Sequence, residues 1–356
     1  MSEKLIIQSH KGPYTVFFNE DISNNIESVF NYTPHFIVDA KVAHIYRVEL
    51  DTVLKHPNTI LIKATEENKS IGLIIPVIEQ LVKNKARRDH TLIAIGGGII
   101  QDITCFIAST LMRGMMWKFF PTTLLAQSDS CIGSKSSINL SDTKNILGTF
   151  NPPNEIFICR AFLDTLDHQD ILSGIGEILK VHAIQDKASF DQLSADYGQL
   201  LTDQTVLLRY IRDALRIKQK YIEVDEFDRD IRNIFNYGHS FGHAIESATD
   251  FAVPHGIAVT IGMDMANRIA VLRNLLPEEH YHRMHSVLRK NYADFTSTII
   301  SVDSLLAALM KDKKNTDTKL VLILPHGEEA RIERVQIAPD ELFRQQCQQT
   351  LAEILQ

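Results

Sequence analysis

The sequence has few cysteines, no long apolar run and no excess of basic charge. Its four cysteines, Cys105, Cys131, Cys159 and Cys347, show no CxxC spacing and are typical of reduced thiols. No apolar stretch approaches the roughly 20 residues of a membrane-spanning helix, and the first residues contain no apolar core of signal-peptide length. The formal net charge of −7 gives no indication of a nucleic-acid or membrane-surface partner. We therefore expect a cytoplasmic protein.

Two kinds of hydrophobic pattern follow one another along the 356 residues, a length sufficient for two domains. In the first part, short apolar strands alternate with helical patterns, which is typical of a parallel sheet with helical crossovers. After about residue 165 the segments become long and amphipathic, and no repeat or low-complexity linker marks the change. The predicted fold class is α/β plus α: a Rossmann-like domain over residues 1–165 and a mainly helical domain over residues 166–356.

Three consecutive glycines, Gly96 to Gly98, follow the apolar strand TLIAI, and we expect the next helix to run from Asp102 to Met112. Glycines let a backbone approach a pyrophosphate closely, and a helix N-terminus offers free N–H groups. The spacing is GGGxxxD rather than the GxGxxG fingerprint. The turn therefore indicates either a dinucleotide site or an ordinary tight turn. Asp39, at an earlier strand end, could accept from a ribose hydroxyl or cap a helix.

The connection from Arg113 to Asn145 is dense in serine and threonine, with Lys135 and Lys144 between them. Such a composition is typical of a polar loop. The functional alternative is a pocket in which the basic side chains bind a phosphorylated sugar or acid, with lysines acting as point charges.

The segment NIFNYGHSFGHAIE at residues 233–246 carries two histidines four residues apart. Read as a helix, it places His239, His243 and Glu246 on one face, so both imidazoles could reach one metal ion or one anion. His255, twelve residues after His243 and directly before a glycine, could return to the same point. Three protein ligands with an open position are typical of catalytic zinc. The alternative is a helix with solvated histidines.

Glu177 and Lys180 lie in another helical pattern, SGIGEILKVHAI, beside buried apolar positions. A glutamate in a helix is usually solvated, so a metal role for Glu177 is the less common alternative.

Taken together, these stretches resemble the 3-dehydroquinate synthases and the wider sugar phosphate cyclase family. The resemblance covers about residues 35 to 325. The matching motifs, in chain order, are GGGIIQD, the Arg113-Gly114 pair, PTTLLAQSDSCIGSK, TKNILGTF, GEILK, RNIFNYGHSFGHAIE and HG.

The resemblance implies the cofactors of the site. Zn²⁺, or alternatively Co²⁺, would be bound by Glu177, His239 and His255, with His243 facing substrate instead of metal. This differs from the spacing argument, which alone would make both helix histidines ligands. NAD would be bound by segments of the first domain, namely Asp39, Glu66, Lys69, Gly97, Gly98, Ile99, Ile100, Gln101, Asp102, Thr122, Thr123, Lys135, Lys144, Phe162, Leu163, Asp164 and Thr165.

The resemblance also implies the residues that contact a phosphorylated sugar-acid substrate. Arg113 matches an arginine that reaches the neighbouring subunit's site, which implies a homodimer. The remaining matches are His243, Lys180, Asp129, Lys135, Asn145, Lys144, Lys218, Arg232, Asn236 and the lysine pair Lys313 and Lys314.

Several positions depart from the family pattern without removing any of these groups. Gln101 replaces a usual glycine, and Ile257 stands where a glutamate is common, which removes a possible carboxylate partner for a metal ligand. The other departures are Ser134, Ser136, Thr143 and Asp228.

The implied reaction converts 3-deoxy-D-arabino-heptulosonate 7-phosphate to 3-dehydroquinate and phosphate, as a carbon–oxygen lyase of the shikimate pathway. Transient oxidation by NAD, β-elimination of phosphate, return of the hydride and an intramolecular aldol step would follow one another, with the metal as Lewis acid. One alternative is a cyclase acting on a sedoheptulose 7-phosphate, which has no carboxylate and therefore gives no role to Arg232. Two others are a metal-dependent polyol dehydrogenase and a non-catalytic NAD-binding protein.

Overall fold

The computed structural model describes residues 3–19, 21–141, 143–312, 315–316 and 318–355. The chain divides into two compact units. The first comprises the residues up to Asp167 together with Lys218–Phe227, and the second comprises His168–Ile217 and the residues from Asp228 onward. No helix in the described part of the chain has the length and apolar character that crossing a membrane requires.

Strands of the first unit alternate with helices, as the sequence pattern predicts. They are β1 (Lys4–Ile7), β2 (Tyr14–Phe18), β3 (Pro34–Asp39), β4 (Thr59–Ile62), β5 (Thr91–Gly96), β6 (Met116–Pro121), β7 (Lys135–Leu140), β8 (Thr143–Phe150) and β9 (Glu155–Ile158). Seven of these described strands form one sheet in the order β1-β2-β9-β6-β5-β3-β4. β1 and β2 pair antiparallel, and the other neighbours pair parallel. The predicted parallel-sheet domain is confirmed.

Helices cover this sheet, and its buried central strands are continuously apolar. In β5 the side chains of Leu92, Ile93 and Ile95 have no exposed surface, as expected for a parallel strand buried on both faces. The helices are α1 (Ile22–Val29), α2 (Ala40–Ile45), α3 (Asp51–Leu54), α4 (Ile71–Lys83) and α5 (Gly98–Thr110). The N-terminus of α5 lies at Gly98, four residues before the predicted start.

The serine-rich connection is not a loop throughout, as its composition suggested. Its second half forms the antiparallel hairpin β7–β8, in which Lys135 pairs with Phe150. Alternate residues of β7 are buried: Ser136 and Ile138 face inward, while Lys135 is exposed. Because the buried face includes serine, the alternation of polarity that identifies a half-buried strand is weak in this sequence.

The second unit is mainly helical, which confirms the predicted character of the C-terminal part. Its helices are α6 (His168–Gln185), α7 (Lys187–Leu200), α8 (Gln204–Val224, whose last residues belong to the first unit), α9 (His239–Ala248), α10 (His255–Leu272), α11 (Glu278–Asn291), α12 (Val302–Met310) and α13 (Glu341–Ile354). A hairpin of β10 (Leu320–His326) and β11 (Arg331–Ile337) completes it.

The prediction of one helix over residues 233–246 is wrong at its start. Ile231–Asn236 is a short 3₁₀ helix, and α9 begins only at His239. Between them Gly238 has a φ of 76°, a left-handed conformation that favours glycine. His239 and His243 are nevertheless on one helix, so the prediction that their side chains lie close together is unaffected.

Helix α10 is fully buried over much of its length, and α6 and α9 contact it at glycines. A Cβ atom added to Gly256 of α10 would lie 1.8 Å from the carbonyl oxygen of Ser173 in α6. One added to Gly262 would lie 2.1 Å from the carbonyl oxygen of Gly238, at the start of α9. One added to Gly176 of α6 would lie 2.2 Å from the carbonyl oxygen of Gly256. The three helices are therefore in backbone contact.

We predict that Gly256→Ala destabilises the folded protein by about 3 kcal/mol or more, because overpacking costs typically 1–3 kcal/mol and here the obstacle is rigid backbone. Gly198→Ala is the matched control, since Gly198 of α7 has no atom within 4 Å of an added Cβ. The control should be neutral or stabilising by about 0.5–1 kcal/mol. Urea unfolding followed by circular dichroism measures both, and equal midpoints for the two variants would contradict the prediction.

Candidate active site

Three polar side chains of the second unit meet where α6, α9 and α10 are in contact. Glu177 lies on α6, and His239 and His255 are the first residues of α9 and α10. Oε1 of Glu177 is 3.6 Å from Nε2 of His239 and 3.4 Å from Nε2 of His255. Both distances exceed the usual 2.7–3.2 Å of a hydrogen bond. Two ligand atoms about 2.1 Å from one tetrahedral ion lie about 3.4 Å apart, so these three side chains fit a tetrahedral metal ion.

His243 is close to the same point but has a different environment. Its ring centroid lies 5.4 Å from that of His239 and 5.6 Å from that of His255. Ligand atoms of the three histidines all lie within 4.8 Å of one another. His243 is exposed, whereas Glu177 is only 1% exposed, and Oε1 of its carboxylate accepts no hydrogen bond from the described residues. The buried carboxylate is therefore the stronger candidate ligand.

Lys180, one helical turn after Glu177, pairs with the other carboxylate oxygen, and both side chains are buried. Burial alone would raise the pKa of Glu177, but Lys180 and the two histidines hold it well below its usual range. Burial and the Lys180 ammonium hold the pKa of His239 well below its ordinary value. Burial would also lower the pKa of His255, but Glu177 and Glu246 raise it to about 10. The centre thus combines an ionised carboxylate with one neutral imidazole, that of His239, and one protonated imidazole, that of His255.

Both histidines also make a contact through their other ring nitrogen. Nδ1 of His239 lies 3.3 Å from the carbonyl oxygen of Tyr237, and Nδ1 of His255 lies 3.1 Å from Oε2 of Glu246. Tyr237 is itself buried, and its hydroxyl donates to Asn267 of α10. Tyr237 was not predicted from the sequence. Glu246 was predicted to share a helical face with His239 and His243, but no contact with His255 was assigned to it.

The glycine turn of the first unit joins β5 to α5. Gly97 is the N-cap residue, so the free N–H groups of the first helical turn lie at the glycines. A Cβ atom on Gly98 would have its nearest neighbour, the hydroxyl of Ser130, at 4.0 Å. The backbone at Gly98 is therefore open to close approach by a ligand, as a phosphate-binding turn requires.

A buried ammonium lies behind this turn. Nζ of Lys69 is 3.3 Å from Asp102 and 3.6 Å from Glu66, and it donates to Oδ1 of Asn145 at 2.9 Å. Asp102 also accepts from the backbone N–H of Ser137. Burial raises the pKa of Asp102 to about 6, although the neighbouring Lys69 opposes the shift. Four of the residues predicted from the family pattern therefore form one network.

A second network contains Asp129, which lies in the π-helical turn Ala126–Ser130. Nζ of Lys218 is 2.9 Å from Oδ1 of Asp129 and donates to its carbonyl oxygen at 2.6 Å. Gln101 is buried and donates to the carbonyl oxygen of Ser130, whose hydroxyl donates back to Gln101. Gln101, which departs from the family pattern, thus anchors the turn that carries Asp129.

Other predicted NAD contacts lie around the carboxyl ends of the strands. Asp39 caps α2 by accepting from the N–H of Lys41, which supports the capping alternative. The hydroxyl of Thr123 accepts from the N–H of Ala126, and the hydroxyl of Thr165 contacts that of Tyr46. Thr122 is buried, as are Phe162 and Leu163 of the segment that ends at Thr165.

The predicted substrate residues differ in exposure. Lys135, Lys144 and Asn145 are exposed on the hairpin β7–β8, whereas Arg232 is buried in the 3₁₀ helix that precedes α9. Arg113 is exposed, with a left-handed φ of 62°. Asn236 donates to the carbonyl oxygen of Asn233. The predicted lysine pair, Lys313 and Lys314, lies outside the described residues.

Sequence comparison assigns most of the chain to one family. Residues 59–173 match the family described as 3-dehydroquinate synthase N-terminal, and residues 174–315 match 3-dehydroquinate synthase C-terminal. The chain is 34% identical to the 3-dehydroquinate synthase of Alkaliphilus metalliredigens over 86% of its length and 87% of the relative. It is 33% identical to that of Clostridium tetani over 93% of its length and 88% of the relative.

Solved structures of related enzymes have the same fold. A 2-epi-5-epi-valiolone synthase from Streptomyces hygroscopicus with NAD⁺ and Zn²⁺ bound superposes with a TM-score of 0.84 at 27% identity, covering 96% of this chain and 97% of that one. A 2-deoxy-scyllo-inosose synthase with carbaglucose-6-phosphate, NAD⁺ and Co²⁺ also gives 0.84, at 22% identity over 98% and 100% of the two chains. Glycerol dehydrogenase of Schizosaccharomyces pombe gives 0.57 at 16% identity over 99% and 91%, a likeness of fold alone.

With both halves of the family pattern matched in order, and more than four-fifths of the chain aligned to relatives above 30% identity, this chain belongs to the 3-dehydroquinate synthase family.

Proposed function

We propose that the protein is a 3-dehydroquinate synthase, a lyase that converts 3-deoxy-D-arabino-heptulosonate 7-phosphate to 3-dehydroquinate and phosphate in the shikimate pathway. The observation that carries this proposal is the convergence of Glu177, His239 and His255 in a chain about one-third identical to synthases of that name. The reaction requires a metal, a dinucleotide and a cationic pocket, and candidate residues for each are present.

Glu177, His239 and His255 would hold Zn²⁺, with Co²⁺ as the alternative. Two nitrogens and one carboxylate oxygen suit either ion and leave a position open for substrate. Structures of two sugar phosphate cyclases, one with Zn²⁺ and one with Co²⁺, support both choices. When bound, the ion would supply Lewis-acid polarisation of a substrate oxygen. Lys180 neutralises Glu177, and exposed His243 is available to the substrate.

NAD would bind with its pyrophosphate on the N-terminus of α5, where Gly97 is the N-cap residue and Gly98 leaves the backbone open. The cofactor would supply a transient oxidation and take part in no net redox change. Lys69 holds Asp102 and Asn145 in fixed positions around this turn. Asp39 and Glu66 remain candidates for the ribose on the family resemblance.

The substrate's two anionic groups need cations, although the chain as a whole is acidic. Lys135 and Lys144 on the exposed hairpin are suited to a phosphate as point charges. Arg232 offers a planar fork for a carboxylate. Asp129 holds the ammonium of Lys218 through two contacts, which fixes the direction of that charge.

The enzyme would act as a cytoplasmic homodimer in which Arg113 serves the neighbouring subunit. Arg113 is exposed, and no hydrogen bond or ion pair involves it among the described residues. An exposed arginine on a strained turn is suited to binding an anionic group of a second molecule.

For the metal, we predict that His239→Ala loses bound zinc while His243→Ala retains it, because Nε2 of His239 lies 3.6 Å from Oε1 of Glu177 and the family resemblance assigns His243 to the substrate. His282→Ala, at an exposed position of α11, is the surface control. Elemental analysis of the purified variants measures the zinc content. Stoichiometric zinc in His239→Ala, or its loss from His243→Ala, would show the ligand assignment to be wrong.

For the dinucleotide, Gly97→Val should weaken NAD binding at least tenfold, because a Cβ atom at Gly97 already lies 3.0 Å from Thr123 and branching crowds the pyrophosphate approach. Gly72→Val on α4, where an added Cβ meets no atom within 4 Å, is the control. Calorimetric titration with NAD compares them. Unchanged affinity in a folded Gly97→Val variant would place NAD elsewhere.

For the reaction, the protein with NAD and Zn²⁺ should release phosphate from the heptulosonate phosphate without accumulating NADH. A polyol dehydrogenase would accumulate NADH. A cyclase for substrates without a carboxylate would convert sedoheptulose 7-phosphate at least as fast as the heptulosonate phosphate. Arg232→Ala should cost about 2–5 kcal/mol in kcat/KM by leaving the substrate carboxylate unpaired, which is roughly 30- to 4000-fold.

Arg232→Lys should recover only part of that loss, because lysine lacks the bidentate fork. Arg229→Ala, at an exposed arginine three residues earlier, should retain the wild-type rate. The proposed substrate is wrong if wild type converts the analogue lacking the carboxylate as fast and Arg232→Ala leaves both rates unchanged.

A further inference from the structure

Glu246, in the segment 233–246, makes a contact to which the proposed function assigns no role. It lies on the last turns of α9, and its side chain is 14% exposed. Its carboxylate points at His255, the first residue of α10, with Oε2 3.1 Å from Nδ1. The contact crosses the turn between two helices, so it fixes a side chain of one helix against the other.

The geometry around His255 determines which ring nitrogen faces Glu177. Nδ1 lies at Glu246 and Nε2 at Glu177. A carboxylate can only accept a hydrogen bond, so Nδ1 must carry the hydrogen that it shares with Glu246. When His255 is neutral, as a metal ligand must be, the lone pair is then on Nε2. The pair therefore selects the tautomer that can bind a metal beside Glu177.

His239 achieves the same orientation by different means. Its Nδ1 is directed at the backbone carbonyl oxygen of Tyr237, an acceptor that side-chain substitution does not remove. Only the orientation of His255 depends on a side chain. Ile257, directly after the HG pair, is fully buried and offers no carboxylate. Among the described residues, Glu246 of α9 is the carboxylate that lies at Nδ1 of His255.

We propose that Glu246 is a positioning residue that holds His255 as a metal ligand and raises the affinity of the site for Zn²⁺. The inference rests on the proposed metal centre formed by Glu177, His239 and His255. Carboxylates that accept from a ligating histidine fix its ring and increase its basicity, and their loss typically lowers metal affinity by about 10- to 100-fold. Glu246 touches neither substrate nor the reacting atoms in this role.

The test measures zinc affinity of the full-length protein by competition with a chromophoric chelator, independently of turnover. Glu246→Ala should bind Zn²⁺ about 10- to 100-fold more weakly than wild type. Glu246→Gln retains an oxygen that can accept from Nδ1 but lacks the charge, so it should recover part of the loss. Glu279→Gln, on an exposed position of α11, removes the same charge elsewhere and should leave the affinity unchanged.

Cobalt substitution gives a second readout that a purely structural role would not alter. The visible absorption of bound Co²⁺ should change in Glu246→Ala while the circular dichroism of the metal-free protein stays the same. If Glu246→Ala does not fold, Glu246→Gln decides, through an affinity loss smaller than tenfold but larger than that of Glu279→Gln.

Two negative outcomes are distinguishable. Wild-type affinity and an unchanged cobalt spectrum in Glu246→Ala would overturn the role of Glu246 and leave the metal centre intact. Absence of zinc binding by the wild-type protein would overturn the metal centre itself, and the role of Glu246 with it.

Discussion

Backbone contact between α10 and its two neighbours, α6 and α9, is the constraint on which the candidate metal centre depends. Each candidate ligand is adjacent in sequence to a glycine at one of these contacts: Glu177 follows Gly176, His239 follows Gly238, and His255 precedes Gly256. Because no side chain separates the helices there, Nε2 of both histidines comes within 3.6 Å of Oε1 of Glu177. An added Cβ at any of these glycines would meet another helix, so the glycines are needed for packing and for the site at once.

This close packing places charge where water is scarce. A buried carboxylate is costly unless it is paired, and Glu177 is paired with Lys180 on its own helix. The same ammonium disfavours a proton on His239, while Glu246 and Glu177 favour one on His255. A divalent cation would replace that proton and satisfy the oxygen of Glu177 that accepts no hydrogen bond. The protein without metal therefore has the charge arrangement of a cation site.

Local patterns were sufficient to predict most of the fold and only part of the site. The strands of the sheet and the glycine turn were identified because apolar runs and glycines act over a few residues. The spacing of His239 and His243 predicted a common face but gave no means of choosing between His243 and Glu177, since that choice depends on how α6 and α9 pack against α10. Helical periodicity could not reveal the break at Gly238. It also could not show that Lys218–Phe227 belongs to the first unit. Only the family resemblance placed Glu177 in the ligand set.

Two residues that depart from the family pattern, Gln101 and Ile257, can be understood from their positions in the structure. Gln101 replaces a glycine on α5, and its amide makes two hydrogen bonds to Ser130, next to Asp129. A buried amide left unpaired would cost about 1–3 kcal/mol, so these hydrogen bonds stabilise both the glutamine and the π-helical turn. Asp129 in turn fixes Lys218. The substitution therefore supports the turn that carries Asp129. Ile257 lies in the core, while Glu246 contacts His255. Both changes leave the groups proposed to contact cofactor and metal in place, and both alter only how the groups are supported.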